Sequence, residues 1–110
     1  SIGGLQGNAM LGTYGLTKAA DMQLARNLAV EWGPRNVRVN CIAPGLVRTD
    51  FARALWENEQ ILRQATARSP LRRIGEPEEI AGAAVFLASR EGAFTTGATF
   101  VIDGGATIAG

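Results

Sequence analysis

Apolar residues recur every four positions between Thr13 and Trp32. Leu16, Ala20, Leu24 and Leu28 form one stripe, and Ala25 and Ala29 widen it. The spacing predicts a helix over 13–32, apolar on more than one side and therefore buried on two faces. Its small residues (Ala19, Ala20, Ala25, Ala29) allow close approach to a sheet or another helix. Gly33-Pro34 ends it, because glycine takes a left-handed cap and proline cannot continue a helix. Val37–Ala43 is rich in β-formers, has no internal breaker and stops at Pro44-Gly45, so it reads as a strand. A second helix begins at Pro77, with Glu78 and Glu79 in its first turn, and carries Ile80, Ala84 and Leu87 to an end near Ser89. Ala98–Ile102 reads as a second strand closed by the Asp103-Gly104-Gly105 turn, where Asp103 serves the turn. Residues 1–13 are a glycine-rich loop. Helix, short loop and strand in this order form the second half of a βαβ unit, which predicts an α/β protein with a parallel sheet.

The stretch 46–75 breaks this regularity. Phe51–Trp56 and Glu57–Arg68 can each form a helix, and Ser69-Pro70 separates them from the next element. A connection of this length between core elements is expected to be a lid or binding segment. Its arginines (Arg63, Arg68, Arg72, Arg73) could clamp a phosphate, although a solvated lid face explains them more simply.

Composition narrows the function classes. Of 110 residues, 46% are hydrophobic and 19% charged, which argues against disorder. The net charge of +1 favours neither nucleic acid nor an anionic membrane as partner. No apolar run has the length of a membrane span, and no leader is visible, so the default expectation is a cytoplasmic protein. The lone Cys41 allows no internal disulfide and is expected to be a small buried residue. The sequence has no histidine, which excludes imidazole-based catalysis; no metal site is expected.

Candidate chemistry begins with Tyr14 and Lys18, four residues apart and so one turn apart on one helix face. Alone, such a pair is more simply a tyrosine beside a solvated lysine. Here Ser1 lies 13 residues before Tyr14 across the glycine-rich loop. Pro44-Gly45 follows the first strand, at the carboxyl end of a parallel sheet where ligands bind.

These residues resemble the short-chain dehydrogenase/reductase family. Ser1, Tyr14 and Lys18 match its S-x12-Y-x-x-x-K signature, and residues 29–45 resemble its helix-to-strand passage. Residues 73–81 and 96–105 resemble its last helix and strand, so the similarity runs through the whole chain. Residues 44–56 look most like NADP-dependent carbonyl and retinol reductases of the family. The resemblance implies residues 1–110 as the C-terminal part of a Rossmann-type doubly wound parallel sheet, a partial single domain with a substrate lid at 46–75. It implies Ser1, Tyr14 and Lys18 as catalytic residues, and Tyr14, Lys18, Pro44, Gly45, Val47 and Thr49 as contacts to NADP or NAD. Phe51, Leu55 and Trp56 would line a substrate pocket. In these roles Tyr14 is the general acid/base, Lys18 also donates to the nicotinamide ribose, and Ser1 holds the substrate oxygen. An ammonium at about 4 Å from a phenol, with an effective dielectric of ~20, supplies roughly 4 kcal/mol, or up to ~3 pKa units before screening. That brings the phenol toward a working pH where proton transfer is efficient.

The family's glycine-rich pyrophosphate turn, its cofactor-discriminating residue and its active-site asparagine have no counterpart here, and Gly3-Gly4-Leu5-Gln6-Gly7 lacks the strand-and-helix context to stand in for the turn. The expectation is that the N-terminal βαβ units lie outside this chain. Two functions are then open: a hydride-transferring oxidoreductase completed by an N-terminal half, or a non-catalytic, self-associating fragment unable to bind cofactor alone. In either case the expected partner is a second copy or a complementary half, alongside a small carbonyl or alcohol substrate.

Overall fold

A computed structural model of the protein describes residues 1–7 and 12–109, with the backbone alone at 12–14. A 3-10 turn, Ile2–Gly4, precedes helix α1, Gly12–Trp32. A second 3-10 turn, Gly33–Arg35, leads to Asn36 in the left-handed region (φ 60°), and the chain reverses into strand β1, Cys41–Pro44. The lid carries α2, Arg53–Trp56, and α3, Glu59–Arg68; α4, Pro77–Ala88, and β2, Thr99–Ile102, complete the order. The strands pair in parallel with Cys41 opposite Thr99 and Pro44 opposite Ile102, as the helix–strand alternation predicts. No helix among the described residues is long and apolar enough to cross a membrane.

The first strand is shorter than the predicted run 37–43, and side chains account for the difference. Residues 37–40 do run beside 95–98, but the Val39 amide donates to Thr96 Oγ1 at 3.1 Å and the Ala98 amide to Asn40 Oδ1 at 3.0 Å. Asn40 Nδ2 donates to the Thr95 carbonyl at 3.0 Å, and Arg38 donates to the carbonyls of Leu87 and Thr95. Polar side chains thus take over part of the ladder, beside one main-chain bond from the Gly97 amide to the Val39 carbonyl at 2.7 Å, and regular pairing starts only at Cys41.

The buried face of α1 also differs from the most obvious stripe. Met22, Ala25 and Ala29 are buried, whereas Leu16 is 72% and Leu24 54% exposed. The alanines face inward because a helix meets the rest of the chain closely only where side chains are small. The leucine stripe is the helix's second apolar face, and no described residue of this chain covers it. Ala43, Val47 and Ile74 complete a small core in which no large side chain is fully buried. The radius of gyration is 15.2 Å, against about 13 Å for a compact domain of this length.

The lid leaves the sheet at Pro44 and returns through two breakers packed on each other. The half of the lid nearest β1 is tied by a bridge between Val47 and Gly75. At its far end the buried Ser69 donates to the Gly104 carbonyl at 3.0 Å, and a Cβ on Gly105 would meet Pro70 Cγ at 2.7 Å. Gly104 and Gly105 both have positive φ, 63° and 90°, which their place after β2 requires. Asp103 does serve this turn, accepting from the Gly105 amide at 2.9 Å and the Thr107 amide at 2.8 Å. Burial pushes its carboxyl upward, but donation from Thr107 and Gly105 outweighs that and holds it below its ordinary value.

Candidate active site

A seam of close backbone contact sets the turn that Ser1 begins against α1 at Lys18. A Cβ on Gly4 would lie 2.7 Å from the Lys18 carbonyl carbon and the Ala19 nitrogen, and one on Gly15 would lie 2.7 Å from the Gly3 carbonyl oxygen. The 3-10 turn therefore rests directly on the α1 backbone. Ser1 starts that turn, its Oγ accepting from the Gly3 amide at 3.2 Å. The hydroxyl proton remains available to donate. Lys18 Nζ stands 3.8 Å from Asp21 Oδ2. Cys41 is half-buried, and its thiol reaches the Asp21 carbonyl at 3.7 Å.

That contact also fixes levels along the two elements. The Tyr14 side chain lies outside the described residues, but its backbone is the third residue of α1. Seven residues of helix back from Asp21 cover about 10 Å, and three residues of strand on from Cys41 cover about the same. Since the chain reverses between α1 and β1, Tyr14 and Pro44 reach a similar level beyond the contact, at the carboxyl ends of the strands.

The segment leaving β1 is held by several main-chain hydrogen bonds. The Gly45 amide donates to the Ile102 carbonyl at 3.0 Å, and a Cβ there would meet Asp103 Cα at 2.9 Å. Gly75 donates to the Leu46 carbonyl at 3.0 Å and accepts from Arg48 at 2.9 Å. Val47 buries its side chain, so it can meet a ligand only through its main chain. The Thr49 amide donates to the Val47 carbonyl at 2.8 Å, and Thr49 Oγ1 accepts from the Ala52 amide at 3.2 Å. As at Ser1, the hydroxyl keeps its own proton to donate. Hydroxyl donors, an ammonium and close-packed main chain are what the nicotinamide and its ribose and phosphate require, so the residues present fit that half of the cofactor.

A cavity of about 520 Å³ opens between the first turn, the strand ends and the returning lid, with Ile2, Leu46, Arg68, Ile74 and Asp103 among its walls. Phe51, Leu55 and Trp56 are not on it. Phe51 projects fully into solvent and Leu55 is exposed. Trp56 packs within the lid, its indole N–H donating to the Thr49 carbonyl at 2.8 Å. Composition and spacing missed this contact, and they also missed Ile2, Leu46 and Ile74 as cavity walls. Of the lid arginines, Arg73 forms a two-pronged bridge to Glu79 (2.6 and 2.7 Å), Arg72 caps α3 through the Ala67 carbonyl, and Arg68 lines the cavity. The Arg73 hydrogen bonds and the Glu76 amide hold the Glu79 carboxyl down to about 2, and Glu79 in turn raises Arg73. No cluster of potential metal ligands occurs among the described residues.

Comparison with known proteins adds to this geometry. A family model described as Enoyl-(Acyl carrier protein) reductase matches residues 1–107. Dehydrogenase/reductase SDR family member 4 of Oryctolagus cuniculus is 45% identical over 96 residues, covering 87% of this chain and 37% of that protein. The solved structure of 4-hydroxyisoleucine dehydrogenase complexed with NADH superposes with a TM-score of 0.95 at 33% identity, over 100% of this chain and 45% of that one. Gluconate 5-dehydrogenase from Burkholderia cenocepacia J2315, in complex with NADP and tartrate, gives 0.94 at 32% identity, over 100% and 43%. The chain thus spans well under half the length of the proteins it matches.

Proposed function

The chain belongs to the short-chain dehydrogenase/reductase family, and from that premise we propose that residues 1–110 form the catalytic part of an oxidoreductase acting between a carbonyl or alcohol substrate and NAD or NADP. The cofactor, when bound, gives or takes the hydride. Everything else falls to this chain. Ser1 donates its free hydroxyl proton to the substrate oxygen. In the reducing direction Tyr14 passes its phenolic proton to that oxygen as the carbon gains hydride, and solvent reprotonates it. Lys18 stabilises the phenolate by charge and donates to the nicotinamide ribose. Pro44, Gly45, Val47 and Thr49 form the wall against which the nicotinamide lies, and Phe51 and Leu55 on the lid close over substrate.

The observation that carries this reading is the glycine seam that sets the turn begun by Ser1 against the α1 backbone at Lys18, at one end of a parallel sheet. Tyr14→Phe in the complete gene product is expected to lower kcat by about 10²–10⁴-fold while leaving NADH or NADPH binding within a few-fold. Turnover of a carbonyl panel unaffected by Tyr14→Phe would refute the assignment.

The same reading includes a partner, either a complementary half or a second copy. The exposed leucine stripe on α1 (Leu16, Leu24) and the exposed Val85 and Val101 on α4 and β2 support it. The 110-residue chain alone is expected to associate. A strictly monomeric species unfolding cooperatively at micromolar concentration, seen by sedimentation and urea titration, would count against this.

A further inference from the structure

Trp56 has a set of contacts that a pocket wall does not need. Its indole N–H donates to the Thr49 carbonyl seven residues earlier, at 2.8 Å. Its ring lies beneath two guanidinium groups, with Arg48 5.1 Å and Arg53 5.8 Å from the centroid. Arg53 is held by Asp50 and Glu57, and Arg48 by Glu76 at 3.1 Å, just ahead of α4. The indole thus lies against two cations that are themselves anchored. The Thr49 peptide, in turn, has its amide on Val47, its carbonyl on Trp56 and its Oγ1 on Ala52, which among the described residues leaves one polar atom uncommitted, the hydroxyl hydrogen.

We propose that Trp56 is a positioning residue for cofactor binding: by holding the Thr49 carbonyl it fixes the direction in which the Thr49 hydroxyl donates. This rests on Thr49 facing the cofactor, as read above. The physical reason lies in the neighbouring sequence. Residues 50–52 form no regular element, so without the indole the peptide after Thr49 could rotate and carry the hydroxyl with it. One hydrogen bond to a ring locked by two cations removes that freedom.

The test measures binding, with no substrate present, in the complete gene product. Trp56→Phe keeps an aromatic ring beneath both arginines and removes only the N–H donor. Loss of one neutral hydrogen bond corresponds to roughly 3- to 10-fold weaker NADH or NADPH affinity by fluorescence titration. Thr49→Val, which removes the hydroxyl, is expected to weaken affinity by at least as much, and Trp56→Phe should add less than twofold in that background. Arg53→Ala, an exposed change that loosens the ring, is expected to cost about twofold and likewise to lose its effect once Thr49 is valine. Effects that multiply independently of Thr49 would make Trp56 a merely structural residue and overturn the proposal. Affinity unchanged by Trp56→Phe would overturn it as well. Wild-type protein that binds neither dinucleotide would overturn both the proposal and the reading of Thr49, whereas tight wild-type binding with an inert Trp56 would overturn the proposal alone.

Discussion

The two flanks of the strand ends are held in opposite ways. On the Ser1 side the chain is fixed by what is absent: without a Cβ, Gly4 and Gly15 let two stretches of backbone touch. On the lid side it is fixed by additions. Trp56 reaches Thr49, Arg48 reaches Glu76, Arg73 reaches Glu79 and Ser69 reaches Gly104, polar side chains that supplement the few main-chain bonds there. A backbone seam is rigid and insensitive to conditions, and it tolerates no added atom. Polar cross-links can loosen one at a time and respond to pH. A site that must hold a hydroxyl beside an ammonium to within a few tenths of an ångström suits the first construction. A lid that must admit and release substrate suits the second.

The sharpest way to break this comparison is a single methyl group in the seam. Gly4 does not have positive φ, so alanine meets no backbone penalty there, and its cost comes from contact alone. With both atoms of the Lys18–Ala19 peptide bond at 2.7 Å the seam must open, and Gly4→Ala is expected to destabilise by about 1–3 kcal/mol and to lower activity by displacing the turn that carries Ser1. Gly82→Ala is the control. Nothing lies within 4 Å of its Cβ inside α4, so it should stabilise by about 0.5–1 kcal/mol. Urea midpoints of the two variants, at constant m-value, make the comparison. Equal shifts of the same sign would show that the seam is not the tight contact described.

The contrast between the flanks also explains what could be read from the sequence. Elements announced by local chemistry were legible: Gly33-Pro34 ends α1, Pro77 with Glu78 and Glu79 begins α4, and Asp103-Gly104-Gly105 closes β2. The spacing of Ser1, Tyr14 and Lys18 pointed to the family, because a helix turn and a loop length are properties of the chain itself. What failed was whatever depends on a partner distant in sequence. A helix apolar on two sides carries no mark of which side is used within the chain: the pattern predicts burial on two faces, and Met22, Ala25 and Ala29 are buried while Leu16 and Leu24 stay exposed. Val37–Asn40 reads as strand from its β-formers, but Thr96 from across the sheet and its own Asn40 take over part of the ladder. Trp56 looked like a pocket wall because its contact with Thr49 depends on how residues 50–52 turn, which composition does not encode.

The smallest expected effect lies in the lid and separates the two constructions by pH. Hydrogen bonds from Arg73, then from the Glu76 amide, lower the Glu79 carboxyl from an ordinary 4.5 to about 2. A carboxyl depressed on folding stabilises the folded state fully above its unfolded pKa, and that stabilisation is lost as pH falls through the folded value. The contribution is therefore complete above about pH 4.5 and fades between there and about pH 2. Both partners are solvent-exposed, so screening keeps it small. Glu79→Gln retains an acceptor but no charge to lose. Its urea midpoint, taken at steps from about pH 6 to about pH 2.5, is expected to fall less steeply below about pH 4.5 than that of the wild type. The Gly4→Ala deficit has no titrating group behind it and is expected to stay constant across the same range. If Glu79→Gln and wild type fell in parallel, the Arg73–Glu79 bridge would carry no acid-sensitive stability, and the lid would resemble the glycine seam more closely than its hydrogen bonds imply.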